Sequence, residues 1–199
     1  MKNFRILMTM LIATCYARSA GPQSGSSGSE TSVQNAGNAA ALRSMLLSQL
    51  RSVHNHPEWF LPVNTSVAGL TPQQAAWVPV NSAGKINPNA NHSVGMIASH
   101  ILFWDADALA QLKGERTRGT ATNDETFNKF DPAHWTSIVH DLDAVLSALE
   151  ELVEHAADYR VVQIAPMIER ISTHTAYHTG QIFYVRKLQG TWKLDNDVK

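Results

Sequence analysis

The sequence predicts an all-α protein, a four-helix bundle with a long first crossover. Three observations predict it. Four segments place apolar residues at steps of three and four, the period of a helix with one buried face. No segment alternates apolar and polar residues as a half-buried strand does. Five prolines, Pro57, Pro62, Pro72, Pro79 and Pro88, cluster between the first and second segments and break that stretch into a long connection.

The first helix is expected over residues 39–54, with Leu42, Met45, Leu46, Leu50 and Val53 on one face. Within the crossover, Leu70-Thr71-Pro72-Gln73-Gln74 has the makings of one short helical turn capped by Thr71. The second helix starts near Ser93, a good N-cap, and its stripe is Val94, Ile97, Ile101, Trp104, Ala108 and Leu112. Residues 113–130 are polar and are expected as a loop. Asp131-Pro132 then opens the third helix, with Asp as cap and Pro in the first turn. Its stripe is Trp135, Ile138, Leu142, Val145, Leu149 and Leu152. The fourth helix is expected to begin near Pro166, with an inner stripe of Met167, Ile171, His174, His178, Gln181, Val185 and Leu188. Gly190 is placed to cap its end.

The chain has 199 residues, and its first forty differ in character from the rest, which leaves one domain's worth of folded material. A hydrophobic fraction of 44% with 17% charged residues is that of a globular domain. A formal net charge of −1 gives no basic excess, which argues against a nucleic-acid partner.

The N-terminus has the form of an export signal. Lys2 and Arg5 supply the positive start, Ile6 to Ala13 a short apolar run, and Ala17, Ser19 and Ala20 the small residues near a cleavage point. The run is too short to span a membrane as a mature helix. Ile12-Ala13-Thr14-Cys15 is similar to a bacterial lipobox, although Thr14 stands where Gly, Ala or Ser is usual. Residues 21–38 are rich in Gly and Ser and are expected as a flexible tether. A lipid anchor at Cys15 and plain secretion both remain open, and both place the folded part outside the cytoplasm. The expected organisation is a signal over 1–20, a linker over 21–38, a helical bundle over 39–192 and a tail over 193–199.

Cys15 is the sole cysteine, so no internal disulfide and no thiolate-rich zinc site can form. A zinc-type site must use His and carboxylate ligands. Two of the nine histidines, His174 and His178, stand one helical turn apart on the fourth helix, where apolar residues belong. Buried imidazoles left unpaired cost about 1–3 kcal/mol each. A shared metal ion removes that cost, and a hydrogen-bonded pair is the competing account. A third ligand must come from another helix, and His100 borders the stripe of the second. Three histidines leave one tetrahedral position open, as in catalytic zinc sites. Gln181 is placed to hydrogen-bond a ligand or a bound nucleophile. His92, His134, His140 and His155 have weaker claims, and His54 and His56 flank a bend that suits a site entrance.

The residues around these histidines resemble a known family. Asn91-His92-Ser93-Val94-Gly95-Met96-Ile97-Ala98-Ser99-His100-Ile101, followed by Phe103-Trp104, resembles the second-helix motif of DinB-like (YfiT-like) proteins. His174-Thr175-Ala176-Tyr177-His178-Thr179-Gly180-Gln181-Ile182 resembles their last-helix motif, and Val185-Arg186-Lys187-Leu188 with Gly190-Thr191-Trp192 continues it. Leu70-Thr71-Pro72-Gln73-Gln74-Ala75 with Pro79 resembles the lead-in. The resemblance covers about Ala39 to Trp192. It implies a four-helix bundle of the DinB/YfiT-like type with a divalent metal on His100, His174 and His178, and proteins that often form homodimers. Members with known activity are mostly thiol-dependent metalloenzymes, such as bacillithiol S-transferases and the mycothiol-dependent maleylpyruvate isomerase. That chemistry is cytoplasmic, whereas this chain carries an export pattern, which argues against low-molecular-weight thiols as its substrates.

The expected function is a metal-dependent enzyme, of transferase or hydrolase type, that activates a water or a thiol for a small-molecule substrate. A non-enzymatic metal or small-ligand binder of the cell envelope is the alternative. Zinc is the expected ion and nickel the second, since three imidazoles suit several divalent metals. The absence of a Glu beside the histidine pair argues against zinc-peptidase chemistry.

Overall fold

The computed structural model describes residues 27–86, 92–119, 122–128 and 130–192, with side chains from 34 onward. The expected signal, Cys15, residues 21–26 of the tether and the tail at 193–199 lie outside the described residues. The described chain is all-α: α1 (Ser27–His54), α2 (Val63–Val67), α3 (Pro72–Ala76), α4 (Val94–Lys113), α5 (Asn123–Phe127), a 3-10 turn (Pro132–His134), α6 (Trp135–His155) and α7 (Asp158–Gln189). The long helices pack in a cycle, α1 and α4 each against both α6 and α7. None of the described helices is long and apolar enough to cross a membrane.

Helix termini follow local chemistry. The Ser93 hydroxyl accepts from the Met96 N–H and starts α4, and Gly114, left-handed at φ 72°, ends it. Asp131 accepts from the Ala133 N–H and opens the 3-10 turn that leads into α6. Thr71 and Gln74 form a reciprocal capping box on α3, in the turn expected there. The Trp135 indole donates to the Leu70 carbonyl at 2.9 Å and ties the crossover to α6.

Four expectations need correction. Helix α1 begins at Ser27, inside the stretch expected as a tether. No proline interrupts it, and residues 34–38 continue the helix as an exposed extension. Met45, expected inside, is 59% exposed. Residues 113–130 are not all loop, because Thr122 and Glu125 make a second capping box that starts α5. Helix α7 begins at Asp158 and runs through Pro166. Val161 and Ile164 are buried and anchor its first turns. Proline leaves the carbonyl four residues back without a donor. Both Pro166 and Val162 are exposed, so solvent can satisfy that carbonyl.

The buried stripe of α7 agrees with the expected one in part. It runs through Ile164, Ile168, Ile171, Thr175, His178, Ile182 and Val185; Ile171, His178 and Val185 are inside as expected, Met167, His174 and Gln181 are half-buried, and Leu188 is exposed. Ser172 and Thr179 are buried as well, and their hydroxyls donate to the carbonyls of Ile168 and Thr175, four residues back. These self-satisfied hydroxyls occupy core positions that a hydrophobicity pattern passes over.

His54 does not line an entrance. It is buried at the end of α1, with Nδ1 2.6 Å from Glu150 Oε1 and Nε2 2.9 Å from Asp143 Oδ1, and it joins α1 to α6. His56 is exposed. At the other end of α7, buried Arg186 donates to the Ser66 carbonyl at 2.6 Å and to the Thr191 carbonyl at 3.2 Å.

Candidate metal centre

Helix α4 carries His100 and α7 carries His174 and His178. Their packing against each other brings one ring nitrogen from each into a group whose members all lie within 4.8 Å of one another. His100 and His178 are buried and His174 is half-buried. His100 Nε2 stands 3.0 Å from His174 Nε2. A tetrahedral ion with Zn–N bonds of about 2.0–2.1 Å holds its nitrogens about 3.3 Å apart, so this spacing is near that of a shared ion. No carboxylate belongs to the group.

The outer nitrogens decide which way the lone pairs face. The Thr126 hydroxyl donates to the Asn123 carbonyl at 2.6 Å, so it accepts from His100 Nδ1–H, also at 2.6 Å. That puts the proton on Nδ1 and leaves the Nε2 lone pair facing the other histidines. His178 Nδ1 lies 2.6 Å from Gln181 Oε1, an acceptor, and the same tautomer follows. Hydrogen bonds of this kind orient metal-ligating histidines. The His100 Nε2 lone pair faces His174 Nε2 across 3.0 Å, a spacing that either a proton carried on His174 or a shared cation satisfies, and the donor set fits a divalent ion.

Burial and mutual proximity keep the trio neutral. Loss of hydration, reinforced by the neighbouring histidines, lowers His100 to about 3. The same two causes lower His174 to about 4. His178 is lowered chiefly by burial, against an opposing hydrogen bond from Gln181. Neutral imidazole is the form that ligates metal.

Phe127 of α5 stacks on His100 with ring centroids 3.9 Å apart and on His92 at 4.0 Å. Both stacks are nearly parallel, so the two imidazoles lie on opposite faces of the phenyl ring. Trp104 meets His100 edge-on, and Tyr177 meets His178 in the same way. A cavity of about 360 Å³ reaches His174, and another of about 500 Å³ reaches His92 and Gln181.

No family model matches this chain, and no curated protein or solved structure matches it either. The site therefore stands on its own geometry.

The structure brings together His100, His174 and His178, with Gln181 behind His178. His134, His140 and His155 are exposed and take no part. Thr126, Phe127 and Asp105 were not anticipated. The Thr122-x-x-Glu125 spacing signals the helix that carries the first two, and a lone Asp in the apolar run Ile101-Leu102-Phe103-Trp104-Asp105 signals the third.

Asp105 is 1% exposed, and its one hydrogen bond comes from the Thr175 hydroxyl at 3.1 Å. Burial raises its carboxyl from 3.8 to about 8, against that bond. Between those values the folded protein holds a proton that the unfolded chain has released. The stability tied to this group is present below about pH 4 and is lost as pH rises through about 8. Asp105→Asn is thus expected to gain stability relative to wild type steadily from pH 5 to pH 8. Urea unfolding of the metal-free proteins at pH 5, 6.5 and 8 checks this, and a constant difference contradicts it.

Proposed function

We propose that this is a divalent-metal-binding protein, a four-helix bundle of the DinB-like type, acting as an enzyme on a small molecule. His100, His174 and His178 hold the ion, zinc first and nickel second. The observation that carries the reading is the convergence of three ring nitrogens from two helices, two of them aimed inward by Thr126 and Gln181. Among the described residues the group contains three candidate ligands and no fourth, which is the pattern of a catalytic rather than a structural zinc site.

Held by His100, His174 and His178, a divalent ion would supply Lewis acidity and lower the pKa of a water or thiol. The histidines act as ligands only. Thr126 and Gln181 hold two of them in the ligating tautomer, and Phe127 and Trp104 shield His100 from water. Transfer or hydrolysis at an electrophilic substrate is the reaction class that such a nucleophile serves.

The N-terminal pattern of Lys2, Arg5 and the apolar run supports a role outside the cytoplasm, in the periplasm or cell envelope, with Cys15 as the residue a lipid anchor would use.

Elemental analysis of the purified wild-type protein beside His174→Ala and His178→Ala tests the metal assignment. Close to one equivalent of metal is expected in wild type and little in either variant. Equal metal content in all three overturns the site.

A further inference from the structure

The carboxyl of Asp105 has no cationic partner. Its polar contact is the Thr175 hydroxyl, and no basic side chain raises or lowers its charge among the described residues. A carboxylate offers about four acceptor sites, so one hydrogen bond leaves it under-satisfied in an apolar setting. Although only 1% exposed, Asp105 is among the residues that line the cavity of about 360 Å³ that also reaches His174. Thr175, its partner, directly follows His174 in the chain.

Nearby Asp107 differs. One of its oxygens takes the Arg118 N–H at 2.8 Å and the other takes the Gln111 amide at 2.9 Å. Of the two carboxyls in this cavity, Asp105 is therefore the less satisfied. The Trp104 ring lines the same space and offers an aromatic surface, which attracts cations. Arg170, one helical turn before His174, lines it too. A cavity of this size takes a small molecule.

We propose that this cavity is the substrate chamber of the three-histidine centre and that it selects a small molecule carrying a protonated amine, which Asp105 receives. The inference rests on the metal reading above. An ammonium donates three hydrogen bonds and supplies the positive charge that lets Asp105 release its proton to solvent and ionise. A ligand with an amine at one end and an anionic metal-binding group at the other matches Asp105 on one side and the histidine centre with Arg170 on the other.

Two hydroxamates of nearly equal shape test this. Butyrohydroxamate ends in a methyl group, and β-alanine hydroxamate ends in an ammonium in its place. Both are titrated calorimetrically into the zinc-loaded full chain at pH 7. The ammonium compound is expected to bind about tenfold tighter, the scale of one charged hydrogen bond. Asp105→Asn keeps the shape and the Thr175 contact, and is expected to bind the two compounds equally while holding zinc as wild type does.

Equal affinity of both compounds for wild type overturns the amine inference and leaves the metal site standing. A preference that survives in Asp105→Asn overturns the assignment to Asp105. A chain that takes up no zinc overturns the metal reading and this inference with it, whereas a zinc-loaded chain that binds neither compound overturns the chamber inference and leaves the metal site standing. The wild-type comparison decides the matter even where the variant folds poorly.

Discussion

His100→Ala is expected to lower zinc affinity by more than the about 10- to 100-fold that loss of an outer hydrogen-bond partner costs. His100 is the one candidate ligand that α4 contributes, so its loss leaves a pair on α7 alone. Thr126→Val is expected to fall within the 10- to 100-fold range. Valine matches the shape of threonine but cannot accept from His100 Nδ1–H, and the ring is then free to carry its proton on Nε2, the nitrogen that faces the other histidines. Competition against a chromophoric chelator at pH 7 measures both. An unchanged affinity in Thr126→Val would show that His100 does not ligate through Nε2. An unchanged affinity in His100→Ala would remove α4 from the centre altogether. Uptake should also fall with acidity, because protons compete for the same nitrogens.

Arg186→Met is expected to destabilise the fold by about 3 kcal/mol, through two carbonyls left without donors at about 1–3 kcal/mol each. Arg186 is buried, with no carboxylate beside it among the described residues. It donates to the Ser66 carbonyl in α2 at 2.6 Å and to the Thr191 carbonyl just past α7 at 3.2 Å, and it lies 4.9 Å from the centroid of Trp192. Both acceptors sit at the C-terminal ends of helices, where the dipole favours a cation. Burial lowers the guanidinium pKa, yet no neutral form is expected in the working range. Arg186→Lys should recover little, since one ammonium on a flexible stem does not reproduce the fork that spans both carbonyls. Urea unfolding measures the losses. A loss below about 1 kcal/mol in Arg186→Met would mean that water satisfies these carbonyls and that the arginine is not a clamp.

The long helices were legible because each has an apolar period or a local start signal. Ser93, Asp131 and the Thr71 capping box act through bonds to residues two or three positions away, so the sequence contains everything they need. The start of α7 was not legible in that way. Pro166 reads as a beginning, and what carries the helix back to Asp158 is the burial of Val161 and Ile164 by distant segments. His54 shows the same limit. Its two carboxylate partners lie 89 and 96 residues away, and no local pattern announces them.

The candidate centre divides along the same line. The sequence alone determined the all-α class, the one-turn spacing that aligns His174 with His178, and the exclusion of cysteine ligands from the folded part, since these depend on helix period and composition. Only the tertiary structure decided that His100 meets that pair, that Thr126 and Gln181 turn the lone pairs inward, and that Asp105 lines the cavity beside His174. The physical reason is range. Periodicity and capping act over three or four residues along one helix, whereas the direction of an imidazole lone pair and the neutrality of a buried carboxyl depend on neighbours that packing alone brings within reach.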